Sequence, residues 1–159
     1  MTVLYSTHQT SLGELGKLVG SVLKELYKEA IKNDVLVSGP CYWIYQGMDG
    51  NPETTFTLDI AIPIQGIIKD SHFATKELTT FKAVSHMHEK DWTKLADSYG
   101  QIMQFIGKSK VDMTGECREI YWNIDFAHPE NNLTEIQVGI IIPGLQSEYP
   151  SVTQEYLSA

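Results

Sequence analysis

Trp43, Tyr45, Glu119, Tyr121 and Glu135 are the side chains of this 159-residue chain whose types and positions could do chemistry together. Four of them lie in two copies of one phrase. Gly39 to Tyr45 read GPCYWIY, and seventy-six positions later Gly115 to Tyr121 read GECREIY. Gly, Cys, Ile and Tyr hold their places, while Trp43 is exchanged for Glu119. Aromatic walls with a carboxylate floor suit a flat or cationic organic ligand, through apolar burial, cation–π attraction and ion pairing. Glu135, set between Thr134 and Ile136 in a very apolar stretch, is a second acidic candidate. A sheet face open to water is the competing reading of Glu119, because carboxylates there need no ligand.

Other chemistries find less support. His86 and His88 share one side of a strand and could ligate a metal, but no third ligand stands at motif spacing, so no metal is expected. Gly107-Lys108-Ser109 resembles the end of a phosphate loop, yet the required earlier glycine is Ile102 and the segment closes a helix. No Gly-x-Gly-x-x-Gly or Gly-x-Ser-x-Gly occurs, and no cofactor is expected. Cys41 and Cys117 read as free thiols at the edge of the core.

The charge balance, 12 basic against 20 acidic side chains, gives a net charge of -8. It disfavours neutralising many phosphates, so direct nucleic-acid binding is not expected, and a neutral or cationic partner fits better. Solubility alone is an equal account of the charge. Without a run of eighteen apolar residues or a secretory pattern at the start, a cytoplasmic protein with no membrane association is expected.

The elements that must position these side chains also read as two copies. Leu15, Gly20, Leu23 and Leu26 lie over Leu95, Gly100, Met103 and Ile106 at an offset of eighty. Each half reads as strand, helix, strand, strand. Strands are expected at 3–8, 41–46 and 55–64, then at 81–88, 118–126 and 133–142, with helices at about 12–32 and 92–108. The glycine of each phrase is expected to end the preceding helix, and Gly16, Gly20, Ala96 and Gly100 to let the helices approach their neighbours closely. The fold class is α+β: duplicated βαββ units form one curved antiparallel sheet with two long helices on one face. One domain spans 1–159, with repeat one at about 2–64, repeat two at about 81–142 and a tail at 143–159. Strand alternation puts Ile120, Trp122, Ile136 and Val138 against the helices, together with Ile44, Leu58 and Ile60. Trp43, Tyr45, Thr57 and Asp59 then share the other face with Glu119, Tyr121, Glu135 and Gln137.

The duplicated plan, the repeated Gly-x-Cys-x-x-Ile-Tyr phrase and Leu133-Thr134-Glu135-Ile136 resemble the GyrI-like small-molecule-binding domain. That domain is similar to the effector-binding part of bacterial multidrug-responsive and AraC-type transcription regulators. The resemblance runs from about Thr2 to Pro143. It implies a ligand groove near an internal two-fold axis, with Glu135 as the family's acidic residue and Tyr121 as its aromatic neighbour. Many members carry His-x-Gly-Pro-Tyr before the second helix, where this chain has His88-Glu89-Lys90-Asp91-Trp92, so Trp92 stands where the tyrosine would.

Three functions follow from the resemblance and the residues. The first is a standalone binder of hydrophobic, cationic aromatic small molecules. The second is a hydrolase of reactive compounds with Glu135 as general base and Tyr121 beside it, which needs a buried carboxylate of raised pKa. The third is a module that engages a protein partner without a small ligand.

Overall fold

The computed structural model describes residues 1–18 and 20–144, so most of the expected tail and Val19 of the first helix lie outside the described residues. The strands are β1 (Thr2–Thr10), β2 (Leu36–Val37), β3 (Cys41–Gln46), β4 (Phe56–Gln65), β5 (Ala74–Glu77), β6 (Ala83–Glu89), β7 (Asp112–Asn123) and β8 (Leu133–Ile141). They form one antiparallel sheet in the order β5-β1-β4-β3-β7-β8-β6, with β2 paired to the end of β4. Helix α1 (Ser21–Lys32) joins β1 to β2, and α2 (Leu95–Ser109) joins β6 to β7.

The expected strands and helices are present, and β2 and β5 are additions too short to show a periodic pattern. The long first helix is not continuous. A 3-10 segment at Leu12–Lys17 precedes α1, and Gly20 between them takes φ +82, a value that ends a right-handed helix and that glycine adopts without steric cost. Nothing lies within 4 Å of a β-carbon built on Gly16, Gly20 or Gly100, so these glycines do not serve close helix approach. The phrase glycines do not end helices either. Gly39 follows α1 by several residues and sits beneath the Pro63 ring, while Gly115 takes φ +87 in a bulge of β7 between Met113 and Cys117.

Both helices lie on one face. Leu26 and Ala30 of α1, and Ile102 and Ile106 of α2, are spaced one turn apart and join a single core with Leu4, Leu58, Ile60, Ile62, Ile136 and Val138. Directly paired residues project to the same side of a sheet. One such row crosses six strands: Ser6, Ile60, Trp43, Glu119, Ile136 and His86. Because Ile60 and Ile136 belong to the helix-side core, Trp43 and Glu119 face the helices as well. The next row, Tyr5, Ala61, Tyr42, Ile120, Glu135 and Met87, faces away.

This register overturns part of the alternation drawn from sequence. Trp43, Tyr45, Glu119 and Tyr121 share a side with Leu58, Ile60, Ile136 and Val138, whereas Thr57, Asp59, Glu135 and Gln137 share the opposite side with Ile44 and Ile120. Ile44 and Ile120 are nonetheless 3% and 4% exposed. The back face buries them among large polar neighbours, including Tyr42 and Arg118, so an apolar residue marks neither face uniquely.

The bulge of β7 folds against β8 at Gly139. A β-carbon there would stand 2.9 Å from the Glu116 carbonyl oxygen and 2.9 Å from Phe81 Cε2, and would overlap Thr114 Oγ1. Gly139→Ala therefore destabilises the fold by about 1–3 kcal/mol in urea unfolding. A change within about 0.5 kcal/mol, the range of a neutral surface substitution, would contradict this packing.

Candidate functional site

Strands β3 and β7 lie side by side and carry the two phrases antiparallel. Cys41 faces Tyr121, Trp43 faces Glu119, and Tyr45 faces Cys117. The indole and the carboxylate that differ between the phrases thus meet at the centre of the pair. Above them α1 and α2 stand apart, and the space between is a groove with a cavity volume of about 1120 Å³.

Glu119 lies at the floor of the groove and is 4% exposed. Its Oε1 accepts the Tyr99 hydroxyl at 2.7 Å. Its Oε2 accepts the hydroxyls of Tyr45 at 2.9 Å and Tyr121 at 2.5 Å. Three elements supply these donors: β3, α2 and β7. Among the described residues no lysine, arginine or histidine forms an ion pair with Glu119. Phenol hydroxyls satisfy the hydrogen-bonding capacity of a buried carboxylate but bring no positive charge. Burial pushes the Tyr45, Tyr99 and Tyr121 hydroxyls well above the usual tyrosine range, and the neighbouring carboxylate adds to the shift.

Aromatic rings surround this carboxylate. Trp43 and Trp92 each meet the Tyr121 ring edge-on at 5.8 Å, and Trp92 meets Phe126 at 5.6 Å. The Trp92 indole N–H donates to Thr134 Oγ1 at 2.9 Å, which fixes the ring's orientation. Phe126 is 67% exposed although it lines the groove, so the aromatic wall continues to its mouth. Gly20, Ala96 and Gly100 also line the groove, and their lack of bulk leaves its space open.

Of the residues singled out in the sequence, Trp43, Tyr45, Trp92, Glu119 and Tyr121 come together here, and Glu135 does not. On the back face Glu135 accepts hydrogen bonds from Ser85 Oγ at 2.8 Å, Gln137 Nε2 at 2.8 Å and Trp122 Nε1 at 3.1 Å. Partial burial raises its pKa, but the three hydrogen bonds outweigh that and hold it below the usual carboxylate range. A general base at Glu135 needs the reverse, a raised pKa, and Tyr121 lies on the other side of the sheet. Tyr99 was hidden in the sequence because its place in α2 matched the spacing of a core position. Phe126 falls inside the strand expected at 118–126, but β7 ends at Asn123, so strand alternation does not place it.

The remaining candidates are accounted for by their surroundings. His88 is buried with Nδ1 against Ser98 Oγ and Nε2 against the Asp91 carbonyl oxygen, which occupies both ring nitrogens. Cys41 and Cys117 are free and line the groove four residues apart along the β3–β7 pair. Burial pushes the Cys41 thiol up to about 12 and the Cys117 thiol up to about 11, so neither is a thiolate at neutral pH. Among the described residues no helix is long and apolar enough to cross a membrane.

Residues 1–141 match the GyrI-like small molecule binding domain, and the chain belongs to that family. The crystal structure of the EcmrR C-terminal domain superposes with a TM-score of 0.72 at 17% identity, covering 88% of this chain and 90% of that one. Against the EcmrR chain bound to DNA, this chain spans 53% of the length, at 16% identity, 87% coverage of this chain and a TM-score of 0.72. SAV2435 bound to tetraphenylphosphonium matches with a TM-score of 0.58 at 12% identity, over 89% of this chain and 88% of that one. A hydrolase from Listeria innocua matches with a TM-score of 0.59 at 12% identity, over 89% and 87%. At these identities the likeness is one of fold. No curated protein matches the chain.

The tyrosine shifts fix a pH dependence. Tyr45 is protonated in the folded state well above its usual value of 10.0, whereas in the unfolded chain it ionises near that value. Its contribution to stability is therefore complete below about pH 10 and falls as pH rises further, by about 1.4 kcal/mol per pH unit. Tyr45→Phe removes that share of the slope in urea unfolding between pH 10 and 11. It also lowers stability at pH 7, where it deletes a hydrogen bond to a charged group worth about 1.5–3 kcal/mol. An unchanged alkaline slope would contradict the assignment.

Proposed function

We propose that the groove binds one lipophilic aromatic cation above Glu119. The observation that carries this reading is the buried carboxylate held by three neutral hydroxyls with no cationic partner. In an apolar surround its negative charge is weakly screened, and an arriving cation completes it. Trp43, Trp92 and Tyr121 offer ring faces or edges for apolar contact and cation–π attraction, each worth about 0.5–2 kcal/mol. Three of the roughly four acceptor sites of the carboxylate are already taken by tyrosines. Cations without N–H donors, such as quaternary ammonium and phosphonium ions, therefore fit better than primary amines. The GyrI-like family assignment supports small-molecule binding, and the structural neighbour SAV2435 is bound to a lipophilic aromatic cation, tetraphenylphosphonium.

Titration with tetraphenylphosphonium, followed by tryptophan fluorescence, tests the reading. Wild-type protein is expected to show saturable quenching, since Trp43 and Trp92 line the groove. Glu119→Gln keeps the shape and is expected to weaken binding by about tenfold or more, the equivalent of ~1.4 kcal/mol. Glu135→Gln is expected to leave affinity unchanged. Equal affinities for wild type and Glu119→Gln would remove the carboxylate from the site.

A further inference from the structure

The groove is longer than its aromatic site, and its two ends differ in chemistry. Along the β3–β7 pair, Tyr121 opposite Cys41 marks one end, and Cys117 opposite Tyr45 marks the other. Four residues of strand separate them, roughly 13 Å. The Tyr121 end carries Trp92 and Phe126. Beyond Tyr45 the lining changes. The 3-10 segment and the turn after it contribute Leu12, Leu15 and Leu18, α1 contributes Leu23, and Met48, Met103 and Met113 come from the loop after β3, from α2 and from β7.

Beyond the Tyr45 ring, these lining residues are aliphatic or thioether chains, and the end has no unneutralised buried charge. Glu116, the acid nearest to it on β7, is paired with the Arg118 guanidinium Nε at 2.6 Å and accepts from Gln46 Nε2 at 2.6 Å. Asp49 is exposed and its oxygens accept from the Asn51 amide and the Thr54 hydroxyl, each at 2.9 Å. Of the two α1 lysines that line the same groove, Lys28 is paired with Glu25 at 2.8 Å, and Lys24 opposes a second positive group. Methionine and leucine chains are flexible, apolar and adaptable in shape, which suits an aliphatic chain of variable length rather than a rigid ring. The total volume of about 1120 Å³ also exceeds what a compact aromatic ion needs, since ordinary small-molecule sites span ~300–1,000 Å³.

We infer that the ligand class is a monocationic amphiphile, whose bulky cationic head sits at Glu119 and whose single aliphatic chain runs along the leucine and methionine end. The inference rests on the proposed cation site and adds the tail, the single charge and the direction of binding. Residues Leu12 to Leu18 have a part in this beyond packing. Because Gly20 breaks the helix, they form a separate segment beside α1 that lines the chain-binding end.

An alkyltriphenylphosphonium series tests it, with chains from methyl to decyl and binding read by calorimetry. Affinity is expected to rise with each methylene, by at most about fourfold, the equivalent of ~0.8 kcal/mol per buried CH₂, and to level off once the chain outruns the groove. In Met103→Gln/Met113→Gln, whose positions are 39% and 50% exposed in the wild type, the chain-length dependence is expected to flatten. The urea midpoint of this variant checks that it is folded. A flat series in wild type would overturn the tail site while leaving the Glu119 reading in place. A rise of equal steepness in the double variant would assign the gain to adsorption elsewhere and overturn it too. Failure of every member to bind, including the methyl compound, would remove the cation site and the inference together.

Discussion

The Glu119 carboxylate, buried and held by three tyrosine hydroxyls, is the interaction on which the arrangement of this molecule turns. A carboxylate taken out of water costs several kcal/mol unless hydrogen bonds or a counter-charge replace its hydration. Here Tyr45, Tyr99 and Tyr121 replace the hydration, and nothing on the described chain replaces the counter-charge. The three donors come from β3, α2 and β7, so the helix and the two central strands must be docked for the carboxylate to be satisfied. Fold stability and the unpaired charge of the groove are therefore set by the same four side chains.

The sheet gives this cluster its rigidity. Trp43 and Glu119 are directly paired at the middle of an antiparallel sheet, with Ile60 and Ile136 as their outer neighbours. The helices meet the core through Leu26, Ala30, Ile102 and Ile106, and leave the line above β3 and β7 uncovered. Small residues at Gly20, Ala96 and Gly100 keep that line open. The back face is occupied otherwise, by polar pairs such as Lys76 with Asp59 and Arg118 with Glu116. Arg118 also stacks on the Phe81 ring at 4.0 Å. These pairs neutralise the charges around Ile44, while Glu135 beside Ile120 is held by neutral donors but is only half-buried, in contrast to the deeply buried carboxylate of the groove.

Much of the architecture could be read from residue order alone. The repeated phrase located β3 and β7, and the Trp43-to-Glu119 exchange marked the two residues that meet at their centre. The face assignment failed on β3 and β7, where Ile44, Ile120 and Trp122 look like a core set. On β7 the true helix-side set is Cys117, Glu119 and Tyr121, because the groove lining mixes polar and aromatic groups while Ile120 is buried on the back by its neighbours. From that slip Glu135 was grouped with Glu119, although only one residue of register separates the two faces. The hydroxyl partnership of Tyr99 was not legible. Its spacing in α2 is that of a packing residue, and only the docked helix brings its oxygen to the carboxylate. The break at Gly20 was likewise masked by an apolar spacing that runs through it.

If an unneutralised buried carboxylate selects the ligand, the sign of the ligand's charge must matter more than its shape. Tetraphenylphosphonium and tetraphenylborate have nearly the same size and the same four rings, and carry opposite charges. Their dissociation constants for the unmodified protein, measured side by side at one ionic strength, are the most direct comparison. Saturable binding of the phosphonium with no binding of the borate at tenfold higher concentration is the expected result. Equal affinity for the two ions would show that the rings alone select the ligand, and would contradict the role assigned to Glu119.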